Sequence, residues 1–212
     1  MKSNLPDERL VFVDIETGGL ESWRPIIQIA AIAVDANLRE LERFEAKLQF
    51  SEKYADAKSL RKASYSAARW RTEAQPAQEV IERFADLLRL HATVDQMSSR
   101  RGVFQVAQLV AHNAAFDGAF LRATFDRLGQ FLPASPRILC TLQRALWLFH
   151  EDKSLTPPPD FKLLTLCHYF GVRLRAEDAH DALNDVRATV ELYRAIAACA
   201  NPATELVQIR CG

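Results

Sequence analysis

Residues 10–50 most strongly limit what this chain can fold into, because they hold three strand-type segments in direct succession. Leu10–Glu16 (LVFVDIE) is a β-branched apolar run, closed by the turn Thr17-Gly18-Gly19. Ile26–Val34 (IIQIAAIAV) is apolar almost without interruption, as expected of a central strand covered on both faces. From Phe44 to Phe50 the residues Phe44, Ala46, Leu48 and Phe50 recur with period two. Three strands joined by short connections imply an antiparallel meander.

Helical periodicity takes over next. Pro76 opens a helix in which Val80, Phe84, Leu87, Leu88 and His91 share a face. Gln108–His112 is a fourth strand, and Asp117–Leu128 a helix stopped by Gly129. Arg137–Cys140 is a fifth strand, followed by helices around Leu142–Phe149, Leu163–Phe170 and Asp181–Ala200. The order implies an α/β fold with a mixed sheet. Neither a G-x-G-x-x-G nor a Walker loop is present, which argues against a dinucleotide or P-loop site.

At 212 residues, with 49% hydrophobic and 25% charged, the chain fits one domain spanning 1–212, its core at about 10–200. This composition excludes disordered and collagenous classes. Cys140, Cys167, Cys199 and Cys211 contain no C-x-x-C spacing, which disfavours a zinc or redox motif. No apolar h-region opens the chain and no apolar run reaches ~18 residues, so a cytoplasmic protein with no membrane partner is expected. The 27 basic residues balance 27 acidic ones, which at first argues against a nucleic-acid partner.

Three clusters carry chemistry. Asp14-Ile15-Glu16 ends an apolar strand with two carboxylates on one face, roughly 6.6 Å apart along the chain. Such a pair at the mouth of a core needs neutralising, and a divalent cation is the simplest candidate. His112-Asn113-Ala114-Ala115-Phe116-Asp117 runs from the fourth strand into a helix. An Asp there is ordinarily a cap, yet that strand end should lie beside the end of the first. His180 and Asp185 are five residues apart. They share a site only if His180 lies in the loop entering the helix and Asp185 faces inward.

In this order and spacing the clusters D-x-E, H-N-x-x-F-D and H-D-A-x-x-D resemble the DEDDh 3′–5′ exonucleases of the ribonuclease-H-like superfamily. The resemblance covers about residues 11–197 and fills all five signature positions: Asp14, Glu16, Asp117, His180 and Asp185. It implies a mixed five-stranded sheet in order 3-2-1-4-5, flanked by helices. It also implies that the four carboxylates hold two divalent cations, Mg²⁺ or Mn²⁺, oxygen ligands being suited to such hard ions. His180 would then serve as general base. Thr17, Gly18, Gly19 and Leu20 would receive the terminal nucleotide, with His112, Asn113 and Phe116 alongside. Many relatives have a second Thr where this chain has Gly18.

Lys58–Arg71 holds Lys58, Arg61, Lys62, Arg69 and Arg71 with no acid, interleaved with Tyr65 and Trp70. This pattern suits a single-strand surface, and it equally suits a solvated helix packing Leu60 and Trp70 inward. Residues 92–107, with Arg100-Arg101, form an inserted loop, for which a hairpin beside the substrate is one reading. Gln143-x-x-Leu146-x-Leu148-Phe149 superficially resembles a sliding-clamp peptide but falls where a core helix is expected; a protein partner is not specified. The expected function is release of nucleoside 5′-monophosphates from 3′ ends of single-stranded DNA. RNA is the alternative substrate, and a non-cutting nucleic-acid-binding module a remote one. Setting the four ligand acids aside leaves 27 basic against 23 acidic residues, so the balanced total is compatible with a nucleic-acid partner.

Overall fold

Every residue of Ile26–Val34 is buried, which makes this strand, β2, the centre of the architecture. The computed structural model describes residues 8–175 and 181–200. β2 pairs antiparallel with β1 (Leu10–Thr17) on one side and with β3 (Glu40–Lys47) on the other. Beyond β1 lie β6 (Gln108–Ala111) and the two-residue β7 (Leu139–Cys140), both in parallel pairing. The sheet order β3-β2-β1-β6-β7 is the expected 3-2-1-4-5 when only these five strands are counted.

Strand alternation assigns the two faces. Val11, Val13, Ile29 and Ala31 face α3 (Ala77–Leu90) and α4 (Ala114–Arg127), packing with Phe84, Leu88, Phe120 and Phe125. Leu10, Phe12, Ala30 and Ile32 point the other way, onto Leu183, Val186 and Val190 of α7 (Ala182–Ala200). A third cluster joins α7 to α5 (Thr141–Glu151) and α6 (Leu163–Tyr169) through Phe149, Leu166, Phe170, Leu192 and Ile196. Leu148 and Phe149 are both buried there, so the clamp-like peptide is a core helix. Among the described residues no helix is long and apolar enough to cross a membrane.

Four expectations need correction. β3 begins at Glu40 rather than Phe44 and ends at Lys47, because Glu40–Arg43 is an exposed edge whose polar residues hide the strand pattern. α4 starts at Ala114 rather than Asp117, since Asn113 takes the left-handed conformation (φ 63°, ψ 48°) and turns the chain into the helix at once. Residues 92–107 are largely a hairpin, β4 (Val94–Met97) with β5 (Val103–Val106). It leads into β6 opposite Leu10, at the far end of the sheet from Asp14, so Arg100 and Arg101 do not flank the carboxylates. Finally, the basic segment forms two short helices, α1 (Ala57–Lys62) and α2 (Ala67–Glu73). Its Trp70 is buried at 5% exposure, and the indole N–H donates to the Ile27 carbonyl at 3.2 Å. Tyr65 packs on Trp70 and donates its hydroxyl to Glu52, while Arg69 pairs with Glu73. Trp70 is therefore an anchor of α2 on β2 and cannot stack on bases.

Trp70→Ala should lower unfolding free energy by about 3–5 kcal/mol, the usual cost of deleting a buried aromatic ring. Arg71→Ala, at an exposed position of the same helix, should stay within about 0.5 kcal/mol. Urea midpoints at constant slope measure both, and equal effects would contradict the anchoring role.

Candidate active site

The alternation that sends Val13 and Ile15 toward α4 sends Asp14 and Glu16 toward α7. There they meet Asp185, in the first turn of α7. One carboxylate oxygen from each of Asp14, Glu16 and Asp185 lies within 4.8 Å of the others. Asp117 stands one turn inside α4 rather than at its cap, 3% exposed, and the Ile15 and Asp117 backbone amides pull its acidity toward the ionised form. Burial outweighs them and lifts the Asp117 carboxyl to about 8. Burial, then the charges of Asp185 and of Asp181 and Asp117, lift Glu16 to about 8 against the relief given by Lys62. Asp14 is raised well above the carboxylate range by burial and by Asp117, Asp185 and Glu16.

These groups form the floor of a cleft of about 620 Å³. Thr17, Gly19 and Leu20 wall one side, with Ser59 and Lys62 from α1 beside them, and Phe161–Leu164 close the other. Leu20 is 79% exposed over this cleft. The Thr17 hydroxyl donates to the Gly19 carbonyl at 2.7 Å, tightening the turn that carries it. A Cβ on Gly18 would come within 2.9 Å of the Ala55 Cβ and 3.0 Å of the Pro25 Cγ, so close packing of the turn accounts for glycine here.

Asn113 is exposed and Phe116 half-buried at the cleft, the latter stacked on Phe120 with centroids 4.7 Å apart. His112 lines the cleft with both ring nitrogens bound within the wall. Its Nε2 faces the Phe161 carbonyl at 3.0 Å and so donates there, leaving Nδ1 to accept from the Thr141 hydroxyl at 2.9 Å. Burial holds this imidazole below its ordinary value. With both ring nitrogens engaged, His112 ties the cleft wall to β6. Lys58, Arg61 and Lys62 are exposed on α1, and Lys62 lines the cleft. His180 lies outside the described residues.

Sequence reasoning missed Arg127, at the last turn of α4. Its guanidinium donates to the carbonyls of Ser22 (3.3 Å), Trp23 (2.7 Å) and Arg24 (3.5 Å), fixing the segment after β1 to the helix that bears Asp117. A basic residue ending a helix ordinarily reads as a dipole partner, so no signal marks it.

The cluster fits divalent cations: hard oxygen donors converge, and burial together with nearby charge suppresses their ionisation until a cation offsets it. Carboxyls whose folded values lie above their unfolded ones near 4 favour folding at low pH. That contribution is lost as pH rises toward about 8. In EDTA, Asp14→Asn should therefore match the parent protein's melting temperature only below about pH 4, where these carboxyls are protonated in both states. It should exceed it at about pH 8, by roughly 2–4 °C for each kcal/mol of relieved repulsion. Mg²⁺ or Mn²⁺ should raise the parent and leave the variant nearly unmoved. A difference independent of pH would show that the carboxylates are not strained.

The profile of the exonuclease family (RNase_T) matches residues 91–193. A Mycobacterium tuberculosis protein bearing the name bifunctional exonuclease/endonuclease is 39% identical over 88 residues, 42% of this chain and 13% of that protein. The PolC-type DNA polymerase III of Halalkalibacterium halodurans is 29% identical over 194 residues, 89% of this chain and 11% of the polymerase. The chain thus spans only a small part of these curated relatives. Among solved structures, E. coli exonuclease I in complex with a dT13 oligonucleotide has the same fold. Its TM-score is 0.72 at 19% identity, over 92% of this chain and 42% of that one. Sheet order, the acidic residues gathered at the end of β1, and these likenesses together support the reading of the chain as a DEDDh-type 3′–5′ exonuclease of the ribonuclease-H-like superfamily.

Proposed function

We propose that residues 1–212 act as one exonuclease domain that hydrolyses single-stranded DNA from its 3′ end and releases nucleoside 5′-monophosphates. The observation that carries this reading is the meeting of Asp14, Glu16 and Asp185 on the floor of a cleft walled by the exposed Leu20. DNA is favoured over RNA because the PolC-type relatives are DNA polymerases and the exonuclease I neighbour holds a DNA oligonucleotide.

Asp14, Glu16, Asp117 and Asp185 would hold two divalent cations, Mg²⁺ or Mn²⁺. When bound, these supply water activation and neutralise charge at the scissile phosphate. Thr17, Gly18 and Gly19 shape the turn that receives the terminal nucleotide, and Leu20 offers an apolar edge to its base. His180 accepts the proton of the attacking water, a task suited to the basic ring nitrogen of an imidazole. Lys62 brings positive charge to the cleft rim, and Lys58 and Arg61 extend it along α1 toward the strand's phosphates.

A 5′-labelled single-stranded DNA should shorten from its 3′ end with Mg²⁺ or Mn²⁺ and remain intact in EDTA or with Asp14→Ala. Internal cuts would indicate an endonuclease, and digestion of RNA alone would overturn the choice of substrate. His180→Ala should reduce kcat by roughly 10²–10⁴ with oligonucleotide binding retained. Replacing Lys58, Arg61 and Lys62 by Ala should weaken binding and flatten its salt dependence, by about 0.7 in log–log slope for each phosphate no longer neutralised. An unchanged slope would return α1 to the role of a solvated surface.

A further inference from the structure

Between β1 and β2 the chain sets out two large apolar side chains three residues apart, Leu20 at 79% exposure and Trp23 at 56%. Leu20 walls the cleft; Trp23 stands beyond the residues that line it. An indole left this far in water forgoes burial worth about 1.5–3 kcal/mol for a large apolar side chain. Such exposure is commonest where a connection is mobile, yet this one is bound at nearly every residue. The Gly18 amide donates to the Pro25 carbonyl at 2.8 Å, closing the base, and the Asp56 amide donates to the Gly18 carbonyl at 2.8 Å. Arg127 holds the carbonyls of residues 22–24 from the side of α4.

The indole itself is also held. Arg24 crosses the turn so closely that a Cβ on Gly19 would lie 2.0 Å from its Cδ. Its Nε donates to the Glu21 carboxylate at 2.6 Å and its Nη1 to the Tyr54 carbonyl at 3.2 Å. That places the guanidinium 4.8 Å from the Trp23 ring centroid, a cation–π contact over the ring. The indole is thus backed by a fixed cation while Trp23 keeps 56% of its surface exposed. A rigid aromatic ring offered to solvent three residues along the chain from the cleft-lining Leu20 suits a flat π-surface as ligand, because the ordering entropy has been settled before binding.

We propose that Trp23 is a stacking platform for an unpaired base of the substrate strand, outside the position taken by the terminal nucleotide. The ligand class is the nucleobase face, with little preference among bases, because each presents a π-surface. The proposal rests on the exonuclease reading and adds to it a contact with a neighbouring nucleotide.

The test compares two substrates on the full chain with Mn²⁺. One is a single-stranded oligothymidylate of about twelve nucleotides; the other is the p-nitrophenyl ester of thymidine 5′-monophosphate, which has no neighbouring base. Trp23→Ala should raise KM for the oligonucleotide about 5- to 100-fold, with ester hydrolysis within twofold of the parent. Trp23→Phe should restore most of the loss. Trp147→Ala, at another exposed tryptophan (60%), should change neither. In EDTA, a Trp147→Phe chain, whose remaining indoles are Trp23 and the buried Trp70, should lose emission when the oligonucleotide is added. An oligonucleotide KM unchanged in Trp23→Ala would overturn the platform and leave the exonuclease reading standing. Equal losses on both substrates would make Trp23 a structural residue of the turn, which also overturns it. A parent chain that cleaves neither substrate would remove the exonuclease reading and the platform together.

Discussion

The burial of four carboxyls side by side, Asp14, Glu16, Asp117 and Asp185, is the constraint around which the rest of the structure is arranged. Burial favours proton uptake over ionisation, with like charge adding to it at Glu16, and Glu16 and Asp117 are pushed to about 8. The fold must therefore supply from elsewhere the stability that this corner withholds. It does so through a sheet covered on both faces, in which β2 is buried throughout and two apolar layers close on it. The third cluster, uniting α5, α6 and α7, braces the helix that delivers Asp185. The acidic corner is thus held by three separate elements of the frame. No one of them could bring the carboxylates together alone.

Strand geometry converts this frame into a site. Because β1 alternates, the residues that anchor it (Val11, Val13, Ile15) and the residues that carry charge (Asp14, Glu16) cannot compete for the same face. Asp117 arrives from α4, on the anchoring side, and reaches over the end of the strand, where the Ile15 amide meets it. This explains why the tightest grouping comprises Asp14, Glu16 and Asp185 while Asp117 is coupled to it by charge.

Much of the frame is legible in the sequence because burial on both faces leaves an unbroken apolar run: β2 can be read to its last residue, and β1 to within one. β3 is harder to place for the converse reason. An edge strand shows the sequence a polar face, and Leu41 there is itself 47% exposed. The segment 58–71 is ambiguous since a basic helix with one inward tryptophan and a single-strand surface share a composition. The indole's burial and its bond to Ile27, across 43 residues, separate them. The signature residues of the site are named through the resemblance of three short clusters to the DEDDh exonucleases. The clamp by Arg127 cannot, because it acts on backbone carbonyls more than 100 residues away, and carbonyls carry no sequence identity.

The balanced charge of the chain acquires its meaning from pairing. Arg24, Arg43, Arg69, Arg89 and Arg194 each lie against an acid three or four residues away on the surface, so their charges are largely spent locally. Lys58, Arg61 and Lys62 have no such partner among the described residues, and they sit on α1, at the rim of the cleft. Uncompensated positive charge is thus placed beside uncompensated negative charge, and Lys62 already lowers the cost of ionising Asp14 and Glu16. A polyanion approaching the carboxylates would otherwise meet a field of its own sign. A basic helix at the rim lets such a strand lie next to an acidic floor, and a net charge of zero conceals that arrangement because the two halves cancel in the sum.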